Sequence, residues 1–300
     1  MFNLRIVSLY YTHSPLPLPI GDSRKDPTTG ERVKGRGVTL IELLIALVLS
    51  SILIAAIYRV FISQQRSYVV QEQVVDMQQN MRASISRMMS EIRMAGFGNV
   101  EAVLEGVDGV NGFHQVITPG KNSITIVGGF KQIRRNNGNP IFVSSTSGNT
   151  IALNYSTDEF DRPAHQYISI GGVESSTVMK RKGKVLTLAD TLRINHSIDT
   201  PIFKIQAITY TTGKSDGKPA LRRNENTGGG AQPVAENIEN IQFEYFDSNG
   251  NPTAIPVSIR MVKVTVTART DMSDPQLKGG DGYRRRQIAS NISIRNMELY

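Results

Sequence analysis

One carboxylate, Glu42, stands inside the longest apolar run of the chain, Val38 to Ile57, VTLIELLIALVLSSILIAAI. A charged side chain at the centre of a bilayer costs roughly 2.5–3.5 kcal/mol on insertion scales, so a plain anchor would be better served by leucine. An acid kept at that depth is suited to one kind of chemistry, pairing with a cation, because a buried charge needs its partner. It also falls in the first turn of the expected helix, where a negative charge suits the dipole. Taken alone, the acid has a competing reading: a glutamate resting in the headgroup zone with no role.

Other constellations fail on spacing. His13, His114, His165 and His196 are too far apart to form a ligand pair, so no metal site is expected. Gly213-Lys214-Ser215 lacks the leading glycine of a phosphate loop, which would fall at Ile208. Asp247, Asn249 and Asn251 imitate a calcium loop, but Pro252 replaces its glycine and Ser258 its closing glutamate. There is no G-x-S-x-G elbow, and the chain contains no cysteine, which removes thiol catalysis and disulfides. No enzyme activity and no cofactor are expected.

The elements that must position Glu42 are helical. Twenty apolar residues span roughly 30 Å as a helix, the thickness of a bilayer core. Lys34 and Arg36 just before the run hold that side in the cytoplasm by the positive-inside rule. The pattern continues without Pro or Gly to Gly96, with Val70, Val74, Met77, Met81, Ile85, Met88 and Ile92 forming one stripe. The spacing predicts one helix over Val38–Ala95, ended by Gly96, Gly98 and Asn99. An anchor followed by a coiled-coil stalk fits the same stripe.

Beyond Gly98 the chain turns to short alternating runs. Strands are expected at Ser123–Val127, Ile141–Val143, Thr150–Asn154, Gln166–Ile170, Lys184–Leu188, Ile202–Thr211, Ile238–Phe246, Ser258–Arg269 and Arg286–Met297. Asn249-Gly250 signals a hairpin, while Gly213–Pro233 and Asp271–Tyr283 read as exposed loops. The fold class is therefore α+β: a long N-terminal helix, apolar then amphipathic, on an antiparallel β-rich domain.

The formal net charge is +8, which invites a nucleic-acid reading. Residues 1–37 hold six basic and three acidic residues, so their removal leaves +5. The remainder is scattered apart from Lys180-Arg181-Lys182 with Lys184, and Arg284-Arg285-Arg286. Solvated faces and turns account for both clusters better than a nucleic-acid groove. Residues 1–37 also hold Pro15, Pro17, Pro19 and Pro27 and show no periodicity, so no fold is expected there. Translation from Val33 would shorten this segment to VKGRG.

Gly37-Val38-Thr39-Leu40-Ile41-Glu42, with the apolar run that follows, resembles the N-terminal signal of type IV prepilins and pseudopilins. The resemblance implies a leader over residues 1–37, cleaved by prepilin peptidase between Gly37 and Val38, with Val38 then N-methylated. The usual residue there is Phe, so Val38 is a departure. The resemblance further implies a transmembrane half-helix over 38–62, an amphipathic half over 63–96 and a periplasmic β-rich domain over 97–300. Glu42, fifth after the cut, would neutralise the new amine of a neighbouring subunit. Implied partners are other major and minor pilins through the helix, and the inner-membrane assembly platform; nucleic acid is not expected. EIRMAGFGN (Glu91–Asn99), VAENIENIQFEYFD (Val234–Asp247), IRMVKVTVTAR (Ile259–Arg269) and YRRRQIASNISIRNMEL (Tyr283–Leu299) look most like PilW-type minor pilins. J-type pseudopilins of type II secretion share the layout, and a DNA-uptake pilin is a third reading, motivated by the +5 charge.

Overall fold

A computed structural model describes residues 37–160 and 166–297. Residues 1–36, on which most of the expected leader, the alternative start at Val33, Lys34, Arg36 and His13 fall, lie outside the described residues, as does His165.

Helix α1 runs over Leu40–Arg93, two residues short of expectation at each end. Its residues up to Val60 belong to one compact unit, and those from Phe61 belong with the rest of the chain to a second. In the first unit every described residue is exposed, including Leu40, Ile45 and Leu53, and this stretch is long and apolar enough to cross a membrane. In the second, the predicted stripe turns inward: Met77, Met81, Ile85, Met88 and Ile92 are buried, with Val74 packed at their edge. A 3.6-residue period puts these side chains on one face, and burying that face, rather than helix propensity, holds the half-helix to the domain.

The exit from α1 is tight. Met94 and Ala95 donate their amides to Glu91 and Ile92 three residues back, and Gly96 then takes φ +78°. The next residues join a strand: Gly96 N–H bonds the Val127 carbonyl (2.8 Å) and Gly129 N–H bonds the Phe97 carbonyl (2.7 Å). Gly98 (φ +107°) and Asn99 (φ +50°) complete the turn in the left-handed region where the sequence places them. A one-turn helix, α2 (Glu101–Leu104), follows.

Thirteen strands are present among the described residues: β1 (Ile117–Pro119), β2 (Ser123–Gln132), β3 (Val143–Ser147), β4 (Thr150–Leu153), β5 (Tyr167–Ile170), β6 (Glu174–Lys182), β7 (Val185–Leu188), β8 (Ile202–Ser215), β9 (Lys218–Asn224), β10 (Gln232–Glu236), β11 (Ile238–Phe246), β12 (Met261–Arg269) and β13 (Arg285–Ser293). All pairings between these strands are antiparallel. In the larger sheet β8 is the hub, with β2 along one edge and β5 then β9 along the other. The smaller sheet is β11-β12-β13, and its alternation is clean: Val262, Val264 and Val266 are buried while Lys263, Thr265 and Thr267 face away. Those valines join the α1 stripe, Phe243, Tyr245 and Ile292 in one core. The architecture is α+β, a long N-terminal helix packed on an antiparallel β-rich domain.

One loop expectation is overturned. Gly213–Pro233 contains the end of β8, all of β9 and the start of β10. The chain reverses at Asp216 (φ +50°) and Gly217 (φ +80°), a two-residue turn that lets Ser215 pair with Lys218. Asp-Gly is the same hairpin signal as Asn-Gly, and Ala220 and Leu221 behind it are fully buried. Asp271–Tyr283 is free of regular structure, as expected. The Asn249-Gly250 turn forms, but it folds Pro252 and Thr253 along the edge of β11 opposite β12. The chain reaches β12 only after a 3-10 turn at Pro256–Ser258.

Candidate processing and assembly site

Gly37, Val38 and Thr39 carry no regular structure and are exposed, immediately ahead of α1. Among the described residues, nothing lies within 4 Å of the position a Gly37 Cβ would occupy, and its φ is outside the left-handed region. Neither packing nor backbone conformation therefore calls for glycine here. An exposed, non-helical peptide beside a residue without a side chain is an accessible bond.

Thr39 is the N-cap of α1. Its hydroxyl oxygen accepts the Glu42 N–H (3.3 Å), and its own N–H (2.9 Å) and hydroxyl (3.0 Å) donate to Glu42 Oε2. This is a reciprocal capping box, which satisfies two backbone donors that the helix start would leave without partners. In lipid, where no water can serve them, that satisfaction matters more. Glu42 Oε1 makes no hydrogen bond among the described residues, so half of the carboxylate stays open for a cation. Reading Glu42 only as a charge misses this second task, although Thr-x-x-Glu before an apolar run is the sequence signal for it.

The remaining candidates are spent on the fold. His114 Nδ1 lies 3.1 Å from the Leu104 carbonyl, and buried His196 sits 2.8 Å from Glu174. Asp247 Oδ1 accepts the amides of Asn249 and Asn251, both at 2.9 Å, in a turn. Lys214 stands in β8 opposite Pro219. Of the basic clusters, Lys184 donates to the Asn154 carbonyl, Arg284 pairs with Asp274 (2.7 Å), and Arg285 bridges Glu239 and Asp281 (both 2.6 Å). Arg285 holds the Asp281 and Glu239 carboxyls below their ordinary range, chiefly through its hydrogen bonds.

Residues 32–58 match the family described as the prokaryotic N-terminal methylation motif. No curated protein and no solved structure matches the chain. The motif supports a type IV pilin-like or pseudopilin-like subunit, processed by prepilin peptidase and assembled with other pilins, and the apolar start of α1 fits a membrane-anchored form of it.

Proposed function

We propose that the chain is a PilW-like minor pilin of a type IV pilus, a non-enzymatic subunit that helps initiate or cap assembly. The peptidase cuts between Gly37 and Val38, and the new Val38 amine is methylated. Before assembly, the 38–62 segment anchors the protein once in the inner membrane with the β-rich domain in the periplasm. On assembly, the helices of neighbouring subunits stack and the free oxygen of Glu42 meets a neighbour's amine.

The observation that carries this reading is the pairing of Glu42 with Thr39 five residues after Gly37. The acid is held by one oxygen at the helix start and left open on the other. A buried ion pair selects register because any other stacking leaves a charge unpartnered.

The test is the N-terminal residue, read by mass spectrometry on protein taken from membranes. N-methylated Val38 is expected. Replacing Gly37 with Glu should leave an uncleaved membrane-held precursor, and normal cleavage of that variant refutes the site. Loss of surface fibres on deletion assigns the chain to a pilus; loss of secretion with fibres intact assigns it to a type II system.

A further inference from the structure

Among the described residues strand β13 pairs with β12 alone, which leaves its other edge open. The ladder tells which groups that edge presents. The Arg284 carbonyl and the Ile294 N–H both bond toward β12, so the even-numbered residues between them use their backbone groups internally. Gln287, Ala289 and Asn291 therefore aim their N–H and C=O outward. Those groups have no partner among the described residues, and the outward ladder is taken up only at Arg295, whose N–H meets the Arg93 carbonyl of α1 (3.4 Å).

Protected edges carry inward charge, proline or a bulge. From Gln287 to Ser293 β13 has no charged residue and no proline, and its pairing with β12 runs without a register shift. Beside it runs a groove of about 860 Å³ between α1 and the strand. Half-buried Met89 and Ile288 line its apolar part, and exposed Arg82, Arg93 and Arg295 also line it. Among the described residues no carboxylate lines it, and none of these three arginines has an ion-pair partner.

We propose that this groove receives an extended acidic segment of a partner protein, which adds to β13 as a fourth strand of the small sheet. Backbone groups of the guest would bond Gln287, Ala289 and Asn291. Alternate apolar side chains would rest on Met89 and Ile288, and carboxylates would meet the arginines. Charge decides against a second copy of this chain, which would bring Arg286 of its own edge, without an ion-pair partner among the described residues, toward a cationic groove. This inference is independent of the cleavage site and of the pilus assignment.

The test uses the full chain in an uncharged detergent. The probe is a fluorescent nine-residue peptide of alternating valine and threonine with an aspartate at each end. Binding by anisotropy is expected, with slowed hydrogen exchange at Gln287, Ala289 and Asn291. At least a tenfold loss is expected for the lysine-ended peptide, for a peptide with two central prolines, and for the Arg82→Glu/Arg93→Glu protein. Ala289→Pro should abolish binding while keeping the β12 ladder, because the N–H it removes faces outward; protected amides at Ile288 and Ser290 check that the strand remains. Equal binding of the proline peptide, no binding of the acidic one, or self-association through β13 without peptide each overturns the proposal.

Discussion

Glu91 of α1 accepts a 2.6 Å hydrogen bond from the phenol of Tyr210 on β8, and the same carboxylate takes Arg223 Nε of β9 at 3.1 Å. Glu91 lies between Met88 and Ile92 of the buried stripe, so the polar contact helps to fix where the helix sits along the apolar surface. Burial and the Glu91 charge both raise the Tyr210 pKa, which keeps the phenol a donor. Burial works against the Arg223 cation, but the hydrogen bonds it donates to Glu225 and Glu91 outweigh it and raise its pKa.

Arg223→Met leaves the largely buried Glu91 charge with only the longer, solvent-exposed Arg87 contact (3.7 Å) as an ion pair, and breaking a buried pair from one side costs about 3 kcal/mol. At about 2–4 °C per kcal/mol for a domain of this size, Tm should fall by about 6–12 °C. Tyr210→Phe removes one charge-assisted hydrogen bond and should cost about half as much. Thermal unfolding followed by circular dichroism reads both. An unchanged Tm for Arg223→Met would mean that the Glu91–Arg223 pair contributes nothing to holding the helix.

Acid should loosen the β-rich domain through two other carboxyls. Burial pushes Glu225 up, but the Arg223 hydrogen bond and charge outweigh it and hold its pKa below the ordinary value. Burial likewise raises Glu159, and Lys131 and Lys204 together bring it below. A carboxyl whose folded pKa is depressed contributes stability above its unfolded pKa and loses it as pH falls toward the folded one. Urea midpoints should therefore hold from neutrality to about pH 5 and decline below it. In Glu159→Gln the decline should be shallower.

How far the sequence discloses these features differs by element. The α1 stripe and β12 were legible because burial on one face writes a period, 3.6 or 2, into the residue types. β6 was not: Glu174 and Ser175 are buried on polar contacts, with the Glu174 carboxylate taking the Arg193 amide and His196 and the Ser175 hydroxyl bonding the Asn99 carbonyl. Polar residues buried by long-range partners leave no periodic trace. β9 hid behind a glycine-rich stretch, although Asp216-Gly217 announced its turn. The Glu91–Tyr210–Arg223 contact joins residues more than a hundred positions apart, and nothing local marks it.

The seat of the helix exit should tolerate no side chain at Gly98. A Cβ there would stand 2.8 Å from Ser169 Cβ on β5, and φ is +107°. Gly98→Ala must therefore strain the backbone and displace the strand together, for a loss of about 2–4 kcal/mol. Gly112→Ala is the control, since its φ is also positive (+87°) but nothing lies within 4 Å. If the two variants unfold at the same temperature, close packing at Gly98 contributes nothing.

Thr39 and Glu42 permit a separation of helix capping from charge. Glutamine serves at the third helical position of a capping box nearly as well as glutamate, so Glu42→Gln keeps an oxygen for the Thr39 N–H while deleting the negative charge. Thr39→Ala does the reverse: it removes the hydroxyl that accepts the Glu42 N–H and leaves the carboxylate in place. On the proposed role, Glu42→Gln should be cleaved normally, keep slow amide exchange at Leu40–Leu43 in micelles, and be largely missing from sheared pili. Thr39→Ala should exchange faster at those amides yet still enter pili. Immunoblots of sheared fibres beside membrane fractions give the second readout. If Glu42→Gln enters pili at the parental level while Thr39→Ala does not, the acid serves the helix start and the neighbour's amine needs no partner.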